Sequence, residues 1–263
     1  MAADKPLPEI IAHRGESYDA PENTMAAFML GWERDLDAVE LDVHLTRDGR
    51  LICIHDKDTQ RTTGVKHLVV EKTLAELQEL DAGSWKGPQF AGEKMPTLDD
   101  VLPTIPPGKR LFIEIKVGPE SVPEFKRALA KAGKPPEQTP VISFNLETCR
   151  EVKRQLPDLQ VYYLSSFKQD KETGQWAPTA EQLIQQAKDA KLDGLDLSFK
   201  GPIDEAFVAK IRDAGLGYYV WTVDDPDVAR RHIELGVDGI TTNRGAWLRE
   251  QLLSHDETTD KRR

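Results

Sequence analysis

Short apolar runs rich in β-branched residues alternate along the chain with longer stretches whose apolar positions recur at helical spacing. The runs occupy residues 10–12, 38–43, 51–54, 111–117, 141–144, 161–164, 194–197, 217–223 and 239–242. The amphipathic stretches occupy residues 24–34, 98–102, 122–132, 146–155, 180–191, 204–214 and 226–235. Several stretches carry their own end signals. Asn23 or Thr24 caps the first, Asp225-Pro226 opens the last, and Gly133, Gly215 and Gly236 follow helix ends. Nine runs are one too many for a ring of eight. The Asp-Gly in Thr46-Arg47-Asp48-Gly49 is a turn signal, so the run at 51–54 is expected to fold back antiparallel on the strand before it. Strands alternating with helices through short loops pair in parallel with the helices outside, which predicts a (β/α)8 TIM barrel.

Length agrees with that reading, because 263 residues match a single barrel domain. Residues 57–96 are too long and polar for a plain connection and read as a small insertion after the second barrel strand, over the barrel mouth. Residues 165–178 read as a solvated loop and 254–263 as a polar tail.

Charge and composition narrow the function classes. The hydrophobic fraction of 39% is enough for a closed core, and a net charge of −10 disfavours nucleic acid or an anionic membrane as partner. Cys53 and Cys149 lie in or beside apolar stretches without metal-type spacing and read as core residues. No window has the apolar length of a membrane span. The opening residues MAADKPLPEI lack the basic and apolar regions of a signal peptide. Cytoplasmic location is the default expectation, with a mature exported form as the alternative.

A barrel of this kind carries its chemistry where the strands end, and here those ends are rich in acids and histidines. The first strand runs into His13-Arg14-Gly15, the second carries Glu40 and Asp42, the antiparallel return ends in His55-Asp56, and the next barrel strand carries Glu114 and Lys116. Side chains alternate across a strand, so Val39, Leu41 and Val43 face the helices while Glu40 and Asp42 face the barrel interior. The same alternation turns Glu114 and Lys116 inward. Buried carboxylates are costly unless paired or bound to a cation, and three on adjacent strands form a reasonable oxygen set for one Mg²⁺ or Ca²⁺. His13 and His55 are expected to exchange protons at the same mouth, and Arg14 and Lys116 to supply positive charge. That inventory suits hydrolysis of a phosphodiester by a pair of histidines acting as general acid and base.

These residues also carry a resemblance. His13-Arg14-Gly15, Pro21-Glu22-Asn23-Thr24, Val39-Glu40-Leu41-Asp42-Val43, Thr46-Arg47-Asp48-Gly49, Ile54-His55-Asp56 and Arg61-Thr62-Thr63-Gly64 closely resemble the glycerophosphodiester phosphodiesterase family. Phe112-Ile113-Glu114-Ile115-Lys116, Trp221-Thr222-Val223 and Gly239-Ile240-Thr241-Thr242-Asn243 extend the similarity over nearly the whole chain. It implies hydrolysis of glycerophosphodiesters to sn-glycerol 3-phosphate and an alcohol. It also implies that His13 and His55 are the acid and base, Glu40, Asp42 and Glu114 the metal ligands, and Arg14 and Lys116 the phosphate contacts. Trp221 is a candidate contact for glycerol carbons, and Asp56, Phe144 and Asn243 for supporting positions. Glu16 departs from the family pattern, where many relatives carry a small residue.

The nearest alternative is a related barrel phosphodiesterase acting on lysophospholipid or sphingolipid headgroups, with Trp85, Phe90 and Met95 as an apolar lip. An enolase-type proton abstraction would leave the two histidines without a use, and a turnover-dead binding module would be expected to lack one of the acids or histidines. Homo-oligomerisation through helical faces stays open.

Overall fold

The computed structural model describes residues 7–260, with side chains described up to 254. Eight strands run parallel around a closed ring. They are β1 (Glu9–Ala12), β2 (Ala38–Leu45), β3 (Arg110–Ile115), β4 (Val141–Ser143), β5 (Val161–Ser165), β6 (Gly194–Ser198), β7 (Gly217–Trp221) and β8 (Gly239–Thr242). The order around the ring is the order along the chain, and β8 closes on β1 with Glu9 opposite Gly239 and Ala12 opposite Thr242. The surplus run forms a ninth strand, Leu51–Cys53, antiparallel to the end of β2 and outside the ring, as the Asp-Gly turn predicts. Gly49 takes the left-handed conformation that this turn demands, with φ 73°.

Period-two alternation divides the strand residues between two cores. Val39, Leu41, Val43, Leu111, Ile113, Ile115, Leu195, Leu197 and Val220 face outward and are sealed by the helices. Inside, Ile11, Ala38, Phe112, Ile142, Tyr162, Leu164 and Tyr219 plug the barrel. Phe112, Tyr162 and Tyr219 meet ring to ring at centroid distances of 4.7–6.2 Å. Arg110 lies over the Phe112 ring, reaches the Tyr219 hydroxyl and pairs with Glu9. Arg110 and Glu9 close the N-terminal end of this plug, and Glu40, Asp42 and Glu114 lie toward its C-terminal end.

Helix starts follow side-chain chemistry. Thr24, not Asn23, caps Met25–Glu33, and Thr179 forms a capping box with Gln182 at the start of Ala180–Asp189. The polar tail expected from residue 254 is instead the end of a helix, Gly245–Asp260, and residues 261–263 lie outside those described. The loop at 165–178 contains a small hairpin pairing Lys168–Gln169 with Trp176–Ala177. Residues 57–96 fold as short helical turns around a satellite core of Ile52, Ile54, Val69, Leu77, Ala82 and Met95. Met95 is therefore buried and Phe90 half-buried, so only Trp85 of the expected apolar lip is exposed. Cys53 and Cys149 are free and buried, as expected.

Candidate active site

The plug ends where β2 and β3 turn acids inward. Asp42 lies directly beside Glu114 in the β2–β3 register, and Glu40 precedes Asp42 on the same face. One carboxylate oxygen from each of Glu40, Asp42 and Glu114 lies within 4.8 Å of the other two. All three side chains are buried.

Two cations and one amide hold this cluster from above. Arg14 donates its backbone N–H to Glu40 Oε2 at 2.8 Å, and its Nε lies 3.3 Å from Asp42 Oδ2. Lys116 Nζ sits 2.8 Å from Glu114 Oε1 and 3.4 Å from Asp42 Oδ1. Asn23 donates Nδ2 to Asp42 Oδ2 at 2.8 Å and accepts the Asp42 backbone N–H at 3.1 Å. Asn23 is therefore a support of the acid cluster rather than a helix cap. The turn that delivers Arg14 depends on Gly15, with φ 79° and no room for a side chain against Ala27.

Burial and charge set the protonation of the three acids apart. Burial would raise Asp42, but the nearby Arg14 and Lys116 charges outweigh it and hold that carboxyl well below the usual carboxylate range. Burial, then repulsion from Asp42 and Glu114, pushes Glu40 well up, and burial with Asp42 beside it pushes Glu114 up to about 7. Glu40 Oε1 and Asp42 Oδ1 are buried without a hydrogen-bond partner among the described residues. Unsatisfied, mutually repelling oxygens inside a closed ring fit a hard divalent cation, which supplies the missing positive charge and accepts lone pairs from each.

The cavity over these acids has a volume of about 80 Å³ and opens at the C-terminal face of the ring. His13, Arg14, His55, Lys116 and Trp221 line it together with Glu40 and Glu114, so every candidate site residue except the enclosed Asp42 reaches it. Its apolar wall is Ile142, Phe144, Leu164 and the Trp221 ring, which meets Phe144 edge to face at 5.5 Å.

The histidines stand on the wall of this cavity, each with Nδ1 engaged. His13 Nδ1 lies 2.7 Å from Asn243 Oδ1, and His55 Nδ1 lies 2.7 Å from Asp56 Oδ1. Asp56 continues through Arg61 to Glu22 and Arg14, each link 2.7–2.8 Å, which joins His55 to the acid cluster. Burial, reinforced by the Arg14 charge, pushes His13 down to about 4, so it is neutral near pH 7. The expectation that His13 and His55 trade a proton as a general acid–base pair is corrected on this point. The cluster that the fold assembles for the chemistry is Glu40, Asp42 and Glu114, not the two imidazoles.

Three further groups escaped the sequence reading. Asp196, the inward residue at the middle of β6, lines the cavity with Oδ1 buried and unpartnered among the described residues. Burial, with Glu114 nearby, pushes its pKa well up. Its signal was an acid at an inward position of an apolar run, but no motif surrounds it. Glu22 joins Arg14 to Arg61. Asp224 grips Asn243 through two hydrogen bonds. Glu16 proves structural, accepting the Gly245 and Ala246 backbone N–H groups at the start of the last helix.

A closed parallel barrel with a candidate divalent-cation site at its C-terminal mouth, and cations and imidazoles around it, has the layout of a barrel enzyme acting on an anionic substrate. The model of the Glycerophosphoryl diester phosphodiesterase family matches residues 13–246. The chain belongs to that family, and with it to the phosphoric diester hydrolases. It is 38% identical over 240 residues to a glycerophosphodiester phosphodiesterase of Caldanaerobacter subterraneus subsp. tengcongensis, covering 89% of this chain and 93% of that protein. A glycerophosphodiester phosphodiesterase of Bacillus subtilis is 31% identical over 251 residues, covering 89% and 82%. Among solved structures, an Oleispira antarctica phosphodiesterase in complex with the product sn-glycerol-3-phosphate superposes with a TM-score of 0.82 at 29% identity, covering 93% of this chain and 96% of that one.

Proposed function

We propose that this chain hydrolyses glycerophosphodiesters to sn-glycerol 3-phosphate and an alcohol, with Glu40, Asp42 and Glu114 holding one Mg²⁺ or Ca²⁺. The observation that carries the reading is the convergence of those three buried carboxylates, with two unsatisfied oxygens, beneath the mouth of a barrel superposable on a relative described with sn-glycerol-3-phosphate. A divalent cation bound there polarises phosphoryl oxygens and neutralises the charge that builds on them.

The chain's own groups divide the remaining work. Arg14 and Lys116 face the same cavity as the acids and are assigned to the non-bridging phosphate oxygens, where a guanidinium and an ammonium complement the dianionic character of the transition state. Trp221 and Phe144 form the apolar wall against which glycerol carbons pack. His13 and His55 have Nδ1 engaged and offer the substrate Nε2 from the cavity wall. Residues 57–96 are read as a subdomain inserted into one barrel domain. Among the described residues no helix is long and apolar enough to cross a membrane.

The test is release of sn-glycerol 3-phosphate from glycerophosphocholine and glycerophosphoethanolamine in Mg²⁺, in Ca²⁺ and in excess chelator, for wild type and Asp42→Asn. Cation-dependent turnover that the substitution removes is the expected outcome. Turnover that survives chelation and the substitution together would overturn the assignment of the acid cluster. A cation-loaded protein inactive on both substrates would overturn the substrate class.

A further inference from the structure

The first barrel strand delivers His13 to the mouth, and the loop after β8 delivers Asn243 to the same place. Their contact is short, 2.7 Å between His13 Nδ1 and Asn243 Oδ1, and Ser17 Oγ adds a second hydrogen bond to that oxygen at 3.2 Å. An amide can turn over and present nitrogen in place of oxygen, which would exchange an acceptor for a donor opposite His13. Here a third residue decides the orientation. Asp224, three residues after Trp221, accepts the Asn243 backbone N–H on Oδ1 at 2.8 Å and the Asn243 Nδ2–H on Oδ2 at 2.7 Å. Thr242 Oγ1 donates to Asp224 Oδ1 at 2.9 Å and holds the carboxylate in place. Turning the amide would set Oδ1 against the acceptor-only carboxylate, whereas the Ser17 hydroxyl, which both donates and accepts, suits either orientation. The amide oxygen is thereby committed to His13, and an oxygen that only accepts requires the proton of the neutral imidazole to be on Nδ1.

We propose that Asp224 is a positioning residue that acts through Asn243: it selects the Nδ1–H tautomer of His13 and fixes the ring, so that Nε2 meets the substrate as a hydrogen-bond acceptor. No contact between Asp224 and substrate is involved. Asn243 transmits the constraint, because its two ends are held by Asp224 and His13 across a separation of 230 residues between His13 and Asn243. The inference rests on the proposed function only for the identity of the substrate that Nε2 meets.

The polarity of the chain suggests its own control. In Asp224→Asn the enforcing carboxylate is gone, and the Asn243 amide is free to turn its Nδ2 toward His13 and drive the proton to Nε2. In Asn243→Asp two carboxylates face one another. In the double variant Asp224→Asn/Asn243→Asp the donor and acceptor change places, and an oxygen that only accepts again faces His13 Nδ1, now from a carboxylate at position 243 in place of the wild-type amide. The measurement is the nitrogen-15 spectrum of the histidine rings, which separates the two tautomers directly, recorded beside kcat and KM for glycerophosphodiester hydrolysis. Each protein is first checked for a cooperative thermal transition.

Wild type is expected to show protonated Nδ1 at His13. Asp224→Asn is expected to move proton population to Nε2 and to lower kcat/KM by about tenfold, the size of losing one hydrogen bond that Nε2 accepts from the substrate. The double variant is expected to return the wild-type tautomer and most of the lost turnover, which a purely structural role for Asp224 would not produce. A wild-type His13 protonated at Nε2, or an unchanged tautomer in Asp224→Asn whatever its rate, would overturn the inference. If wild type turns over none of the glycerophosphodiesters, the proposed substrate fails, while the tautomer spectra still decide the role of Asp224.

Discussion

Cation binding at the acid cluster should stabilise the fold, and should do so less as the solution becomes acidic. Glu114 has an ordinary pKa of 4.5, which burial and the adjacent Asp42 push up to about 7 in the folded chain. Without a cation the folded state therefore holds a proton on Glu114 that the unfolded chain has already released. That contribution is fully present below the unfolded pKa and is lost as the pH rises through about 7. A ligating carboxylate must be ionised, so binding expels this proton, and each pH unit below about 7 weakens the apparent affinity roughly tenfold. Free cation at 100 times its dissociation constant stabilises the native state by about 2.7 kcal/mol. At about pH 5.5 the affinity is about 30-fold weaker, and the same concentration leaves about 0.8 kcal/mol. For a domain of this size each kcal/mol moves Tm by about 2–4 °C, so the cation-induced gain should shrink from about 5–11 °C to about 2–3 °C. Glu40, raised by burial and the same neighbours, steepens the fall. The assay is thermal unfolding in Mg²⁺ or Ca²⁺ against chelator near pH 8 and near pH 5.5, for wild type and Glu114→Gln. Taking the difference between cation and chelator at each pH cancels other groups, such as His232, that titrate in the same range. A gain of equal size at both pH values would refute proton displacement from the cluster. An undiminished gain in Glu114→Gln would place the cation elsewhere.

Other expectations follow from single contacts. Gly15→Ala sets a methyl 2.5 Å from the Ala27 carbonyl carbon at a φ of +79°, and should cost about 2 kcal/mol or more in a urea titration. An unchanged midpoint would mean that this turn relaxes freely. His232, buried with Nδ1 2.6 Å from the Tyr218 hydroxyl, is pushed down to about 4 by burial and then Arg231. The unfolded chain takes up that proton first, so stability present above about pH 6.5 is lost as the pH falls toward about 4, by up to about 3 kcal/mol. His232→Gln should flatten this slope in urea midpoints compared across pH, and an identical slope would remove His232 as its source. Arg14→Lys keeps the charge but loses the fork that reaches Glu22 and Asp42 together, and should lower kcat/KM by about 10–100-fold. Full activity in that variant would show that a point charge suffices.

Much of this protein is legible in residue order alone. Local alternation decides which side of a strand a residue occupies, so Glu40, Asp42, Glu114 and Lys116 could be turned inward from residue order alone, and the structure places Glu40, Asp42 and Glu114 together. The Thr46–Gly49 turn likewise carried enough local chemistry to separate the ninth strand from the ring. What failed was non-local. The helix Gly245–Asp260 was missed because the acceptor for its first N–H groups is Glu16, 229 residues away from Gly245. Of the two cap candidates Thr24 takes the role, and Asn23 does not because its partner, Asp42, lies across the barrel mouth rather than in the next turn. The expectation for His13 fails for the same reason. An imidazole's ordinary pKa belongs to the residue, but the desolvation and the Arg14 charge that push His13 down to about 4 belong to the packed site. Periodicity specifies a face of a strand. Which groups meet across the ring, which oxygens are left without partners, and which protonation states survive burial depend on distances between residues far apart in the chain, and only closing the barrel sets them.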